Sequence, residues 1–261
     1  MNTRTIVLLH GAWMKPESWE GWAARLRDRG YEVLAPAWPH DDRLVADLRA
    51  NPAPELASVG VEDIVAHYEG IVRGLAAPPI LIGHSFGGLF TQLLLGRGLG
   101  VCGVAIDPAP IKGVLPAADA VRAAFPVVST WGASSKVFTM SLADFQWGWV
   151  HTLPADEQRR AYDRYVVPTP GKPYIQGLSA PFTKTFDATP KARTAPLLLI
   201  AGEDDRTVPA SMVRGAYKLQ QASSAPTELK SFAGRTHWIC GQPGWEEVCD
   251  AAIGWVEGLP G

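Results

Sequence analysis

Short apolar runs alternate with amphipathic stretches through most of the chain, and this alternation restricts the possible folds more than any other feature. Six runs have the pattern of strands, at residues 5–11, 31–36, 78–83, 101–107, 195–205 and 227–232. Five stretches have the spacing of amphipathic helices, at residues 18–30, 61–76, 87–98, 210–221 and 243–259. The strands are apolar on both faces, which is typical of a parallel sheet covered by helices on both sides. We therefore predict an α/β fold with a doubly wound, mostly parallel sheet of about six strands.

The alternation is interrupted between about Pro108 and Thr194, where no convincing strand pattern is found. This segment contains helical stretches such as residues 153–166, separated by proline and glycine. A structureless loop of that length is rare in a compact domain, so we expect an inserted helical subdomain. The predicted organisation is a core at residues 1–107 and 195–261 and an insertion at residues 108–194.

Composition excludes several classes of protein. The chain has 261 residues and is 47% hydrophobic. Its formal net charge is −2 and it has no long basic block, which argues against a nucleic-acid-binding protein. No apolar stretch approaches the roughly 20 residues that span a bilayer, and the N-terminus lacks the long apolar region of a signal peptide. We therefore expect a cytoplasmic protein that binds neither nucleic acid nor membranes. The three cysteines include no Cys-x-x-Cys pair, so no disulfide, metal or other cofactor is expected.

One short motif carries chemistry. The stretch "GHSFG" at residues 83–87 matches Gly-x-Ser-x-Gly between a predicted strand and a predicted helix, which is the setting of a nucleophile elbow. Such a turn is too tight for large side chains two residues before and after the serine. It presents the hydroxyl of Ser85 at the carboxyl end of the sheet. There the backbone N–H of Phe86, at the start of the helix, can face a developing oxyanion.

A serine hydroxyl is a weak nucleophile, so it needs a base, and the base needs an acid to fix its tautomer. Of the six histidines, His237 lies in a loop after the last predicted strand, at the sheet edge where α/β folds gather their chemistry. His84 lies inside the elbow and is expected to point away from the serine hydroxyl. The run at residues 195–205 ends in three consecutive acids, Glu203, Asp204 and Asp205. The order serine, acid, histidine suits this fold, and spacing alone leaves the acid open.

Four motifs together resemble the α/β-hydrolase superfamily, in its compact serine-hydrolase branch. They are "HGAW" (10–13), "GHSFGG" (83–88), "GEDDRTVP" (202–209) and "GRTHW" (234–238). The resemblance covers the core and implies a helical cap at the insertion. Its Gly-x-x-Asp-x-x-Val-Pro pattern implies Asp205 as the acid, with Asp204 as the alternative. The first motif implies a second oxyanion donor, the backbone N–H of Ala12 or Trp13, and a structural role for His10.

The insertion is rich in aromatic side chains, and some of them are expected to face the serine. The candidate pocket residues are Trp147, Trp149, Phe138 and Phe145, together with Trp238 of the core. An apolar pocket with few polar anchors suits a small hydrophobic molecule with a medium-sized acyl or aromatic group.

We therefore expect a cofactor-free serine hydrolase that cleaves a small to medium hydrophobic carboxylic ester through an acyl-enzyme. A serine at position 85 argues against the epoxide-opening and halide-displacing members, which have aspartate there. Three other reactions on the same scaffold remain open, those of hydroxynitrile lyases, C–C bond hydrolases and perhydrolases. A receptor that keeps the three residues but scarcely turns over its ligand remains open as well.

Overall fold

The computed structural model describes residues 3–260, and its main feature is a six-stranded sheet in which every neighbouring pair is parallel. The strands of the chain are β1 (Thr5–Leu9), β2 (Glu32–Leu34), β3 (Ile80–His84), β4 (Cys102–Ile106), β5 (Val137–Phe138), β6 (Thr169–Pro170), β7 (Leu197–Gly202) and β8 (Thr227–Phe232). The sheet order is β2-β1-β3-β4-β7-β8, and β5 and β6 form a separate antiparallel pair. The predicted α/β fold with six parallel strands is confirmed.

Helices cover both faces of the sheet. They are α1 (Glu20–Asp28), α2 (Val45–Ala50), α3 (Val61–Arg73), α4 (Phe86–Gly96), α5 (Ala118–Val128), α6 (Leu142–Gly148), α7 (Ala155–Tyr165), α8 (Lys172–Leu178), α9 (Ala210–Gln220) and α10 (Trp245–Glu257). Successive strand residues point to opposite faces, so Val7 joins the apolar cluster of α3, α4 and α9. Leu8 joins the cluster of α1 and α10. These two buried layers explain why the strands are continuously apolar.

The insertion between β4 and β7 contains α5 to α8 and the short β5–β6 ribbon. The expectation that this segment lacks strands was therefore wrong in detail. Each strand of the ribbon has only two residues, too few to produce a periodic pattern in the sequence. The six-residue helix α2 was also not predicted, because a helix of fewer than two turns is too short to show a clear amphipathic pattern in the sequence.

The strand register brings the functional loops to one edge of the sheet. His84 at the end of β3 is paired with Ile106 of β4, and Ile106 is paired with Ile200 of β7. Gly202, which ends β7, is paired with Phe232 at the end of β8. Because the strands are parallel and end together, the loops that follow them meet at this edge.

Within residues 3–260, no helix has both the length and the apolar character needed to cross a membrane.

Candidate active site

Ser85 lies on a strained turn between β3 and α4. Its backbone has φ 56° and ψ −121°, a conformation that is rare for a residue with a side chain. The flanking glycines make the turn possible, because a Cβ at Gly83 would lie 2.1 Å from the carbonyl oxygen of Gly87. A Cβ at Gly87 would lie 1.8 Å from the carbonyl oxygen of Leu9. The Gly-x-Ser-x-Gly motif is therefore a steric requirement of this turn.

A buried chain of hydrogen bonds starts at this serine. Ser85 Oγ lies 3.0 Å from His237 Nε2, and His237 Nδ1 lies 2.5 Å from Asp205 Oδ2. The other oxygen of Asp205 accepts hydrogen bonds from the backbone N–H groups of Thr207 at 2.7 Å and Val208 at 2.8 Å. Asp205 thereby accepts from Nδ1–H of the imidazole, which leaves Nε2 free to accept the serine proton.

The two candidate acids differ in burial and in orientation. Asp204 is exposed, whereas Asp205 is buried against His237. The backbone N–H of Asp204 donates to the carbonyl of Arg235, which fixes the chain so that the next residue faces the histidine. The geometry therefore favours Asp205 over the alternative that the sequence left open.

Two further histidines lie near Ser85 without contacting its hydroxyl. The ring of His84 packs against that of His237, with centroids 4.6 Å apart. Burial, and then the neighbouring His237, hold the pKa of His84 well below its ordinary value. The ring of His10 stacks on Trp38, and burial lowers the pKa of His10 to about 4. Both side chains are therefore neutral at physiological pH, which suits packing rather than proton transfer.

The turn after β1 approaches Ser85 closely. A Cβ at Gly11 would lie 2.7 Å from the Cβ of Ser85, so only glycine permits this approach. Trp13 has a φ of 68°, and its carbonyl accepts a hydrogen bond from the N–H of Val167 in the insertion at 2.9 Å. The amides of Ala12 and Trp13 thus belong to a turn that packs against Ser85 on one side and is hydrogen-bonded to the insertion on the other. Phe86 is the first residue of α4, where backbone N–H groups have no acceptor within the helix.

A cavity of about 390 Å³ opens over Ser85. Its walls are mostly apolar and come from the core and from the insertion; they include Phe86, Ile111, Val114, Trp147, Trp149 and Tyr174. Two charged residues, Arg122 and Asp144, line it as well. The guanidinium of Arg122 lies over the Trp147 ring, 3.9 Å from its centroid, and so links α5 to α6 beside the cavity.

Five aromatic residues were predicted to line the pocket, and the structure divides them. Trp147 and Trp149 lie in the wall of the cavity. The other three lie outside that wall, which corrects the prediction. Phe145 stacks on Trp149 from behind, with centroids 5.7 Å apart, and Trp238 packs on Tyr165 at 5.1 Å.

Phe138, the third of them, packs against the turn at Gly171, where a Cβ would lie 2.5 Å from its ring. A small subdomain needs aromatic side chains for its own packing, and composition alone does not distinguish these from pocket residues. Sequence reasoning also missed Ile111 and Val114, which lie in the loop after β4, at the sheet edge where the loops of parallel strands meet.

Among residues 3–260, one cluster of side chains offers metal-ligating atoms. His84, Asp107 and His237 each place such an atom within 4.8 Å of the others. Both ring nitrogens of His237 already hydrogen-bond to Ser85 and Asp205, however. Two donors then remain, fewer than the three or four protein ligands that zinc takes.

The order of strands, the elbow and the loop positions can be compared with known proteins. A model described as "Alpha/beta hydrolase family" matches residues 6–251 of the chain. The chain belongs to the alpha/beta hydrolase family. Within this alpha/beta hydrolase the match spans β1 to α10, and it therefore includes Ser85, Asp205, His237 and the whole insertion.

Solved structures share this fold at low sequence identity. The monoacylglycerol lipase of Paleococcus ferrophilus has a TM-score of 0.70 and 20% identity, over 97% of this chain and 93% of that chain. A pyrethroid hydrolase from Sphingobium faniae has a TM-score of 0.70 and 17% identity, over 98% of both chains. An enol-lactonase from Burkholderia xenovorans has a TM-score of 0.66 and 17% identity, over 98% of this chain and 92% of that one. At these identities the likeness establishes the fold of this alpha/beta hydrolase.

Proposed function

We propose that this alpha/beta hydrolase is a serine hydrolase that cleaves small to medium hydrophobic carboxylic esters through an acyl-enzyme. The observation that carries the proposal is the buried chain from Ser85 through His237 to Asp205, which opens into an apolar cavity. Similar folds in a monoacylglycerol lipase, a pyrethroid hydrolase and an enol-lactonase support it, because all three are named as hydrolytic enzymes.

In the first half-reaction, Ser85 Oγ attacks the ester carbonyl carbon while His237 Nε2 takes the hydroxyl proton. Asp205 holds the imidazole and stabilises its charged form. The tetrahedral intermediate then collapses, the C–O bond to the alcohol breaks, and His237 gives the proton to the departing oxygen. The alcohol leaves and the acyl group remains on Ser85.

In the second half-reaction, His237 removes a proton from water, which attacks the acyl carbon. Collapse releases the carboxylic acid and returns the proton to Ser85. In both steps the negative oxygen would be held by the N–H of Phe86 and by that of Ala12 or Trp13. These donors are backbone groups on the tight elbow and on the turn after β1, where Gly11 packs against Ser85 and Trp13 accepts from Val167, so little reorganisation is needed during the reaction.

A substrate panel with an active-site probe tests the proposal. A fluorophosphonate should add once, at Ser85, as read by intact mass and peptide mapping, and p-nitrophenyl esters from acetate to decanoate should be hydrolysed. The same preparation would be given cyanohydrins and diketones. Cleavage of either of those without ester hydrolysis would replace this proposal with a lyase or C–C hydrolase reaction. Saturable ligand binding without product release would replace it with a receptor function.

The wall residue Trp147 is expected to set acyl-length preference. Replacing Trp147 with alanine should shift the preferred ester towards longer chains, because the removed indole frees volume in the cavity. One methylene in an apolar pocket discriminates by about 10- to 200-fold, so ratios of kcat/KM for neighbouring esters should change on that scale. Turnover of the acetate ester should change much less. The measurement is a profile of kcat/KM against acyl length.

Trp131→Ala is the matched control, because Trp131 is 94% exposed and lies outside the cavity wall. It should keep the parent profile. Trp149 is unsuitable for this test, since its ring lies 4.4 Å from that of His237 and its loss would disturb the base itself. Thermal melts confirm that each variant is folded. A folded Trp147→Ala protein with the parent profile would remove Trp147 from the specificity argument.

A further inference from the structure

Within residues 3–260, the wall of the cavity over Ser85 contains one cation, the guanidinium of Arg122. Arg122 lies on α5 of the insertion and is exposed, so it stands where the cavity meets solvent. Its guanidinium forms no hydrogen bond or ion pair with any other group in residues 3–260, and this includes Asp119, one turn earlier on α5. The N–H donors of this arginine therefore remain available to a ligand.

The guanidinium of Arg122 rests on a supported surface. It lies over the Trp147 ring, with Cζ 3.9 Å from the ring centroid, and such a contact orients the planar group while its N–H edge stays free. Arg206, which lies outside the cavity wall, holds Trp147 as well. Its Cζ lies 5.8 Å from the same centroid, and its Nη1 donates to the Trp147 carbonyl at 3.5 Å. Since the guanidinium is already oriented, it loses less freedom when it binds a ligand.

The acid in the same wall, Asp144, has a different task. Ser141 Oγ donates to Asp144 Oδ2 at 2.5 Å, and the backbone N–H of Asp144 donates back to Ser141 Oγ at 3.1 Å. These bonds cap the N-terminus of α6, where a carboxylate is also favoured by the helix dipole. No ion pair joins Asp144 to Arg122 in the described part of the chain. The charge of Arg122 is therefore not paired within the wall.

We infer that Arg122 is a specificity-determining residue that binds a carboxylate at the far end of the acyl chain, so that the preferred substrates are monoesters of medium-length dicarboxylic acids. The inference rests on the proposed function, since it names a substrate class for the same site. A guanidinium matches a carboxylate with two parallel hydrogen bonds. The methylene groups of the acyl chain lie against the apolar walls, and the carboxylate stays at the exposed end, where little hydration is lost. The anion belongs to the acyl part because Trp147, which supports Arg122, is the residue proposed to set acyl length.

The test compares charged and neutral substrates of equal length in the full-length protein. The substrates are the monoethyl esters of adipic, pimelic and suberic acid, each paired with its ω-amide, which has the same shape without the charge. The measurement is the ratio of kcat/KM for the carboxylate to kcat/KM for the amide. At the best chain length the parent should favour the carboxylate by about 10-fold, the lower end for a hydrogen bond between charged groups, because Arg122 is exposed.

Three variants assign this preference to one side chain. Arg122→Met keeps an apolar stem without the charge and should abolish the preference for the carboxylate. Arg122→Lys should retain part of it, because the ammonium keeps the charge but lacks the planar fork. Lys136→Met is the matched control, since it removes an exposed cation of the insertion that lies outside the cavity wall, and it should keep the parent ratio. Raising the ionic strength from about 0.01 M to about 1 M should weaken the preference of the parent.

Three other results would overturn the inference. The first is a parent enzyme that cleaves the amides as well as the carboxylates at every chain length. The second is an equal loss of preference in Arg122→Met and Lys136→Met, which would show a general effect of net charge. The third is a preference confined to butyrate esters of ω-hydroxy acids, which would place the anion in the alcohol part. The salt dependence of the parent decides the matter even if Arg122→Met fails to fold, because a preference that salt leaves unchanged does not come from an exposed ion pair.

Calorimetry provides a readout that does not depend on turnover. Monoethyl suberate is titrated into Ser85→Ala protein with and without Arg122→Met. Its affinity should fall by about 10-fold when Arg122 is replaced, and an unchanged affinity would overturn the inference. Failure of the proposed function is recognised separately, because it would leave the parent inactive on every ester, neutral ones included, while this difference in binding persisted.

Discussion

Replacing Ser85 with alanine should lower kcat for ester hydrolysis by roughly a million-fold, the loss expected when the nucleophile of a cooperating serine, histidine and acid is removed. The variant should fold normally, because the Oγ atom contacts His237 at 3.0 Å and the turn itself is held by backbone bonds. The N–H of Ser85 still donates to the carbonyl of Ile106, and alanine has the same Cβ. Steady-state kinetics on a p-nitrophenyl ester, with a thermal melt, measure both expectations.

The controls for this variant are specific. Labelling by a fluorophosphonate should disappear in Ser85→Ala and persist in Ser129→Ala, which alters an exposed serine at the end of α5. Residual activity of more than about one hundredth of the parent value would mean that another group or a bound water attacks the ester, and that the triad is not the catalytic unit.

Asp205→Asn should lower turnover by about 10⁴-fold. We expect this loss because the substitution changes the tautomer of His237, while the ring stays in place. The amide oxygen of the new side chain would accept from the N–H groups of Thr207 and Val208, as Oδ1 does now. The amide N–H₂ group would then face His237 Nδ1 and donate to it. That arrangement places the imidazole proton on Nε2, which can no longer accept the proton of Ser85.

Asp204→Asn is the matched control, one residue away and exposed. It should change turnover by only a few-fold, since a solvated surface charge is screened. Kinetics of both variants at several ionic strengths would separate the two effects. The reverse ranking, with Asp204→Asn more damaging, would mean that the acid loop rearranges when substrate binds.

Much of the site could be predicted from the sequence, because it depends on local geometry. The elbow at residues 83–87 has steric requirements that only a specific spacing of glycines meets, so its motif implies the turn. The continuous apolar character of β1, β3, β4 and β7 follows from burial on both faces, which predicts a parallel sheet. A parallel sheet, in turn, places the loop with His237 and the loop with Asp205 at one edge.

Other features depended on which distant segments meet. Sequence reasoning did not distinguish Trp147, in the cavity wall, from Phe145 behind it, because both are aromatic residues of one short helix and differ only in the neighbours they contact.

The sequence by itself determined the sheet, the elbow and the serine and histidine proposed to react, because each follows from a repeating pattern or from the place of a short motif relative to a strand. Tertiary structure alone decided which acid is buried against the histidine and which aromatic residues surround the cavity over Ser85. The physical reason is that burial and contact between segments far apart in sequence are set by how the insertion and the sheet edge pack together, and that packing has no local pattern.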